Sequence, residues 1–334
     1  MPQPTVDVVT VGRVNMDLFA REVGSPFEEV RSFDAMVGGS PSNIAIAGSR
    51  LGLRTVAFTA VGDDRVGQFV LHNLREEGVD VSHVAIKPGR LTSLALLGNQ
   101  PPDRFPLSFY REDPADIHLT VDEAAALPIA QARMLLVSGD AFARGSTVEA
   151  ARHCGEVAQQ LGVPTVMDLD LRPATWEHPA AYGLTIRSVL PLVDVLVGTE
   201  EELYAALLPH PEHVMAGNAV TEAEHERLEP TLADLLEQAG LDAVVVKRGP
   251  DGVTVLTAAQ RIEVASFPVE VVNTVGAGDA FAAGLLRSRL HGLEWEDAAR
   301  FAAACGALEV TRHGCSRVFP TEPEVLEFIA GQDH

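Results

Sequence analysis

Short runs of Val, Leu, Ile and Ala recur along this chain, and stretches of helical periodicity separate them. Residues 6–11, 55–61, 134–139, 164–168, 193–197, 243–247 and 253–256 read as strands. Residues 67–77, 147–161, 200–208 and 296–311 read as helices between or after them. Several of the strands are continuously apolar, so both of their faces need cover. Such strands in alternation with helices predict an α/β fold, a mainly parallel sheet flanked by helices on both faces. The alternation breaks at about 13–36 and 90–113, where half-exposed strand pattern replaces helix (91–97 and 106–111 in the second). Those insertions are expected to form a small β-sheet lid over the mouth of the main body, leaving residues 1–334 as a single domain. Residues 209–228, rich in Pro, His and Glu, read as a surface loop.

Composition narrows the class. The 334 residues are 46% hydrophobic, enough for a sizeable core, and carry a net charge of −22 with no basic block. That balance argues against nucleic acid and anionic membrane as partners. No apolar run reaches the ~18 residues of a membrane span. The N-terminus lacks the basic and apolar regions of a secretory leader. Cys154, Cys305 and Cys315 have no metal-site spacing, and an odd, sparse count points to a reducing compartment. A cytoplasmic location is the expectation.

The densest signal lies late, in Asn273-Thr274-Val275-Gly276-Ala277-Gly278-Asp279-Ala280-Phe281. Strand pattern over 262–272 precedes it and helix pattern over 280–290 follows. Small residues at a strand-to-helix turn let backbone approach a ligand closely. The free N–H groups and positive dipole end of a helix start favour an anion there, phosphate above all. No Gly-Lys-Ser/Thr follows, so this is not a Walker A loop. A carboxylate inside an anion site suits a base that deprotonates an attacking hydroxyl; the plainer alternative is a first-turn acid favoured by the dipole. Earlier, Gly38-Gly39-Ser40-Pro41 opens another helix, with Ser40 suited to the N-cap and Pro41 to the first position.

These two motifs, in this order, with alternating structure over nearly the whole chain between them, resemble the ribokinase (phosphofructokinase-B) family of sugar kinases. The resemblance implies an α/β domain with a β-sheet lid, ATP as donor, Mg²⁺, and phosphorylation of a sugar hydroxyl. Residue by residue, it makes Asp279 the catalytic base and the N–H groups of Gly276, Ala277 and Gly278 the anion hole. It puts Asn15, Asp17, Gly39 and Asn43 on the sugar, and Lys247, Gly249 and Thr274 beside the nucleotide, with Lys247 or Arg248 meeting a phosphate or simply solvated. Gly198-Thr199-Glu200-Glu201-Glu202 resembles the family's Asn-x-x-Glu motif with Glu201 at its glutamate, holding Mg²⁺ through water; otherwise these glutamates are helix-capping charge. Asn273 departs from the aspartate of many relatives, which puts K⁺ activation in doubt. Paired lid sheets, as the family often has, would give a homodimer.

Two segments bear on the acceptor. Phe109-Tyr110-Arg111-Glu112-Asp113-Pro114-Ala115-Asp116 falls in the second insertion, and Asp168-Leu169-Asp170-Leu171-Arg172-Pro173-Ala174-Thr175-Trp176 follows a strand. Ligands of open α/β sheets bind at that strand edge, so Arg111 and Arg172 are expected to face one cleft. Guanidinium groups read carboxylates by paired hydrogen bonds, which favours a sugar acid; a salt bridge from Arg172 to Asp168 or Asp170 is the alternative. Both segments, Tyr110 included, resemble the 5-dehydro-2-deoxygluconokinases of myo-inositol catabolism. Kinases of 2-keto-3-deoxygluconate share part of the pattern, and neutral-sugar kinases share less. A non-catalytic sugar or nucleotide sensor would be expected to lose Asp279 or the glycine turn, and both are present. A dinucleotide fold would want glycines after its first strand, where Val11-Gly12-Arg13-Val14-Asn15 lacks them.

Overall fold

The computed structural model describes residues 4–100 and 106–332. Among the described residues thirteen strands run in chain order: β1 Val6–Val11, β2 Asn15–Ala20, β3 Phe33–Gly38, β4 Thr55–Gly62, β5 Val84–Lys87, β6 Ser93–Leu97, β7 Leu107–Tyr110, β8 Ala132–Ser138, β9 Thr165–Asp168, β10 Val195–Thr199, β11 Ala243–Lys247, β12 Val253–Leu256 and β13 Arg261–Val264. Nine of them form the main sheet in the order β13-β12-β11-β10-β9-β8-β1-β4-β5. From β11 to β5 every pairing is parallel, and β12 and β13 add an antiparallel edge. The strand expected over 262–272 stops at Val264. Pro268 has no N–H to offer a ladder, and β13 is already the sheet's outer strand.

Alternate residues of the central strands bury opposite ways. Val8 packs with the helices Ser40–Arg50, Ala277–Leu290 and Trp295–Val310, while Val9 and Val11 pack with Thr147–Leu161, Pro179–Val189 and Glu200–Leu207. This two-sided cover is why the strands read as unbroken apolar runs. Part of the segment expected to be loop is helical: Glu212–Met215 forms a short turn, and Glu222–Ala239 is a long helix. Thr221 and Glu224 make a capping box there, and Leu228, Leu232 and Leu236 bury one face at four-residue spacing. Among the described residues, no helix is long and apolar enough to cross a membrane.

The two insertions form a second sheet, β3-β2-β6-β7. In β2 the buried positions include Asn15 and Asp17, whereas Met16 and Leu18 are half-exposed. This inverts the usual rule for a half-buried strand, and it aims two polar side chains inward.

Candidate active site

The lid strand β2, the carboxyl ends of β9 to β11, and the N-termini of two helices converge on one cavity of about 380 Å³. Asn15, Asp17, Gly39, Asn43, Arg172, Lys247, Thr274, Gly276, Gly278 and Asp279 all line it. Five other expected residues do not line it. Glu201 and Gly249 line an adjoining groove of about 580 Å³, which shares Thr199 and Lys247 with the cavity. Tyr110 and Arg111 line a hollow of about 890 Å³ along the outer edge of the lid, which shares Leu107 and Phe109 with the cavity. Ala277 is the first residue of the helix behind Gly276.

That helix starts three residues before its expected position, with Gly276 as N-cap at φ +96°. A Cβ on Gly276 would stand 2.9 Å from Cys315 Sγ and 3.0 Å from Glu309 Oε1, so glycine is required twice, by conformation and by space. Gly39, not Ser40, is likewise the N-cap of Ser40–Arg50; at φ +94° its absent Cβ would meet the Arg13 carbonyl at 2.6 Å. Both helices thus begin against neighbouring backbone or side chains, with their unpaired N–H groups at the cavity.

Asp279 sits in the first turn of its helix, and its Oδ2 accepts a 2.8 Å hydrogen bond from Asn43 Nδ2. Burial and the charge of Asp170 push its carboxyl above the usual range, against the pull of the Asn43 bond. Asn43 Oδ1 is buried with no partner among the described residues, which leaves an acceptor for a ligand hydroxyl. Asp17, hydrogen-bonded by Asn15, is pushed up to about 7 by burial, although Arg13 opposes this. Asp168 is also pushed up to about 7 by burial, with Lys247 pulling the other way. Lys247 Nζ lies 3.1 Å from Asp168 and 3.8 Å from Glu202. Burial alone would lower the Lys247 pKa, but these carboxylates outweigh it and hold the ammonium charged.

The two glutamates of Glu201-Glu202 are used differently. Glu202 closes a capping box with Thr199 and also accepts the Leu171 N–H at 3.1 Å. Glu201 points to the groove and takes no part in that box.

Sequence reasoning missed a chain of alternating charges that runs from the lid edge into the cavity. Arg111 lies 2.6 Å from Asp116 and 3.7 Å from Asp140, Arg13 lies 3.4 Å from both Asp140 and Asp170, and Arg172 lies 2.7 Å from Asp170. The Arg172–Asp170 pair is the alternative left open from the sequence. Arg13, at the carboxyl end of β1, lines the cavity with only 5% of its surface exposed. Its position after a central strand was the available signal. Asp170 was legible only as a candidate partner of Arg172; it holds φ +38°, uncommon for a non-glycine residue though more open to aspartate than to most.

Asn273 is buried, and its Nδ2 donates to the carbonyl of Gly314 while its Oδ1 accepts from the Val275 N–H at 3.1 Å. The amide orientation follows from these partners, since only NH₂ can face a carbonyl.

Comparison with known proteins bears on the fold and the family. The profile described as pfkB family carbohydrate kinase matches residues 6–322. A curated 5-dehydro-2-deoxygluconokinase of Geobacillus thermodenitrificans (strain NG80-2) is 34% identical over 329 residues, covering 98% of this chain and 94% of that protein. One of Shouchella clausii (strain KSM-K16) is 32% identical, covering 98% and 96%. Among solved structures, a putative ribokinase II of E. coli in complex with ATP and Mg²⁺ superposes with a TM-score of 0.82 at 25% identity, covering 98% of this chain and 100% of that one. A fructokinase double mutant of Vibrio cholerae O395, bound to fructose, ADP and potassium ion, superposes with a TM-score of 0.80 at 25% identity, covering 98% and 99%.

Proposed function

The chain belongs to the pfkB family of carbohydrate kinases and is an ATP-dependent sugar kinase; from that premise we propose that its acceptor is 5-dehydro-2-deoxy-D-gluconate, phosphorylated on the primary hydroxyl to the 6-phosphate. The observation that carries the proposal is the pairing of two features in one cavity. Asp279 stands at a helix N-terminus, held by Asn43, and Arg172 supplies a guanidinium whose buried Nε has no partner among the described residues. A base for a hydroxyl and a reader for a carboxylate are what phosphorylation of a sugar acid needs. The names of the curated relatives point the same way.

In this reading Asp279 accepts the proton of the attacking hydroxyl as the oxygen adds to the γ-phosphorus of ATP. The N–H groups of Gly276, Ala277 and Gly278, at the positive end of their helix, stabilise the charge on the transferring group. Asp17, Asn15, Gly39 and Asn43 orient the sugar, Arg172 holds its carboxylate, and Arg111 and Tyr110 act from the lid edge. The triphosphate lies from the groove toward the cavity, past Gly249, Thr274 and Lys247, which carries a charge suited to a phosphate. The lid sheet keeps water from the reacting centre.

The donor set fits Mg²⁺ brought with ATP. Among the described residues no cluster of carboxylates is preformed for a metal, so the ion would arrive on the phosphates, and Glu201, outside the capping box, would hold its water shell. Bound there, the ion neutralises phosphate charge. The residues do not fit a K⁺ site in the same way, because the Asn273 amide already satisfies the Gly314 carbonyl. The enzyme acts in the cytoplasm, as its free cysteines and its use of ATP suggest. Apolar Leu91 and Tyr110, 71% and 64% exposed at the lid edge, would be covered in a homodimer.

A coupled ADP-release assay with Mg-ATP tests the proposal by comparing 5-dehydro-2-deoxygluconate, 2-keto-3-deoxygluconate, ribose and fructose. The first should give the highest kcat/KM. Preference for either neutral sugar would refute the sugar-acid reading while leaving the role of Asp279 standing.

A further inference from the structure

We infer that Arg13 is a specificity-determining residue, the guanidinium that reads the substrate carboxylate together with Arg172, while Arg111 positions them from behind. The inference rests on the sugar-acid reading above and adds a residue to it.

The geometry separates the three arginines. Arg13 and Arg172 line the cavity that holds Asp17 and Asp279; Arg111 does not. The Arg111 guanidinium is engaged elsewhere, with Nη1 at 2.9 and 2.6 Å from the two oxygens of Asp116 and at 3.2 Å from Ser93 Oγ. All three contacts come from Nη1, and Nη2 stands 3.7 Å from Asp140, so Arg111 is anchored behind the cavity wall rather than placed on the cavity.

Arg13 is held but not saturated. Its Nε and Nη2 stand 3.4 Å from Asp170 Oδ2, and its Nε stands 3.4 Å from Asp140 Oδ2. Charge-assisted N–H···O bonds normally close to about 2.7–2.9 Å, so these donors are slack. Its one closer polar contact is Nη1 to Asn15 Oδ1 at 3.1 Å. Arg172 takes the other oxygen of Asp170, at 2.7 Å. One aspartate therefore brackets two guanidinium groups and fixes their separation. The Phe109 ring of β7 lies 5.6 Å from the Arg13 guanidinium, so the lid screens one face of that cation from water. A desolvated, pre-oriented guanidinium gives a carboxylate more binding than a mobile surface one.

The test compares wild type and Arg13→Met on 5-dehydro-2-deoxygluconate and on its primary amide, which keeps the shape and drops the charge. Wild type should prefer the acid by about 100-fold or more in kcat/KM. Arg13→Met should remove most of that preference, chiefly by raising KM for the acid, so that the loss on the acid exceeds the loss on the amide by about tenfold or more. Arg13→Lys guards against a folding defect: it keeps the charge without the fork, and about tenfold should be lost on the acid alone. Equal losses on acid and amide, or an unchanged ratio, would overturn the assignment of Arg13. A wild-type enzyme with no preference for the acid would overturn the sugar-acid reading itself, and this inference with it.

Discussion

Replacing Asp279 with Asn tests the proposed chemistry most directly, because the structure isolates what the substitution changes. The side chains are isosteric, and an amide oxygen at position 279 can still accept the Asn43 N–H that lies 2.8 Å away. The helix start, the glycine turn and the cavity should therefore persist. What is lost is the ability to take a proton, worth about 10²–10⁴ in rate for a positioned general base. At ~1.36 kcal/mol per decade, this is roughly 3–5.5 kcal/mol of transition-state stabilisation. Removing a negative charge from beside the phosphate site should leave ATP binding unchanged or slightly tighter. The pH profile adds a second readout. Burial and Asp170 raise the Asp279 pKa, so the acid limb of kcat/KM in the wild type should lie above the ordinary carboxylate range. Steady-state ADP release across pH gives the rate and the limb, and calorimetry with a non-hydrolysable nucleotide gives binding. A variant that retains more than about a tenth of wild-type kcat would show that Asp279 is not the base.

Three further outcomes follow from the same cavity. Gly276→Ala puts a side chain at φ +96° against Cys315 and Glu309, so kcat should fall at least tenfold and stability by about 1–3 kcal/mol, read by turnover and denaturant unfolding. Asp17 and Asp168 have folded pKa values near 7, above those of an unfolded chain. Their contribution to stability is complete below about pH 4 and is lost as pH rises through 7. The melting temperature of the ligand-free protein should thus decline from pH 5.5 to 8, Asp17→Asn should flatten the decline, and a flat wild-type profile would contradict the two raised pKa values. Replacing K⁺ with tetramethylammonium should change kcat less than about twofold, because Asn273 already donates to Gly314; Asn273→Asp, which sets a carboxylate against that carbonyl, should gain stabilisation from K⁺ in a thermal melt.

Much of the fold is legible in the chain because its signals are short-range. Continuous apolar strands announced a sheet covered on both faces, and the interrupted stretches announced the lid. The capping box of Thr221 and Glu224 and the Leu228, Leu232, Leu236 spacing were also readable, but the Pro- and Glu-rich context, with Pro230 inside the helix, hid that helix. The glycine turn at 276–278 carried its meaning locally, since positive φ and a helix start need only neighbouring residues.

The cavity required long-range decisions. Asn43 meets Asp279 across 236 residues, and Arg13 meets Asp170 across 157. Motifs named Arg111, Arg172 and the glutamates near 201, but composition and spacing could not tell which charges would neutralise one another. Tertiary packing placed Arg111 against Asp116, left Arg13 loosely held in the cavity, and drew Glu202 into a cap while Glu201 faced the groove. The sequence by itself determined the sheet, the lid and the glycine turn at a helix start, because backbone propensity and burial patterns act over a few residues. Only the tertiary structure decided which charged groups remain available to a ligand, because ion pairing depends on distances that no local pattern encodes.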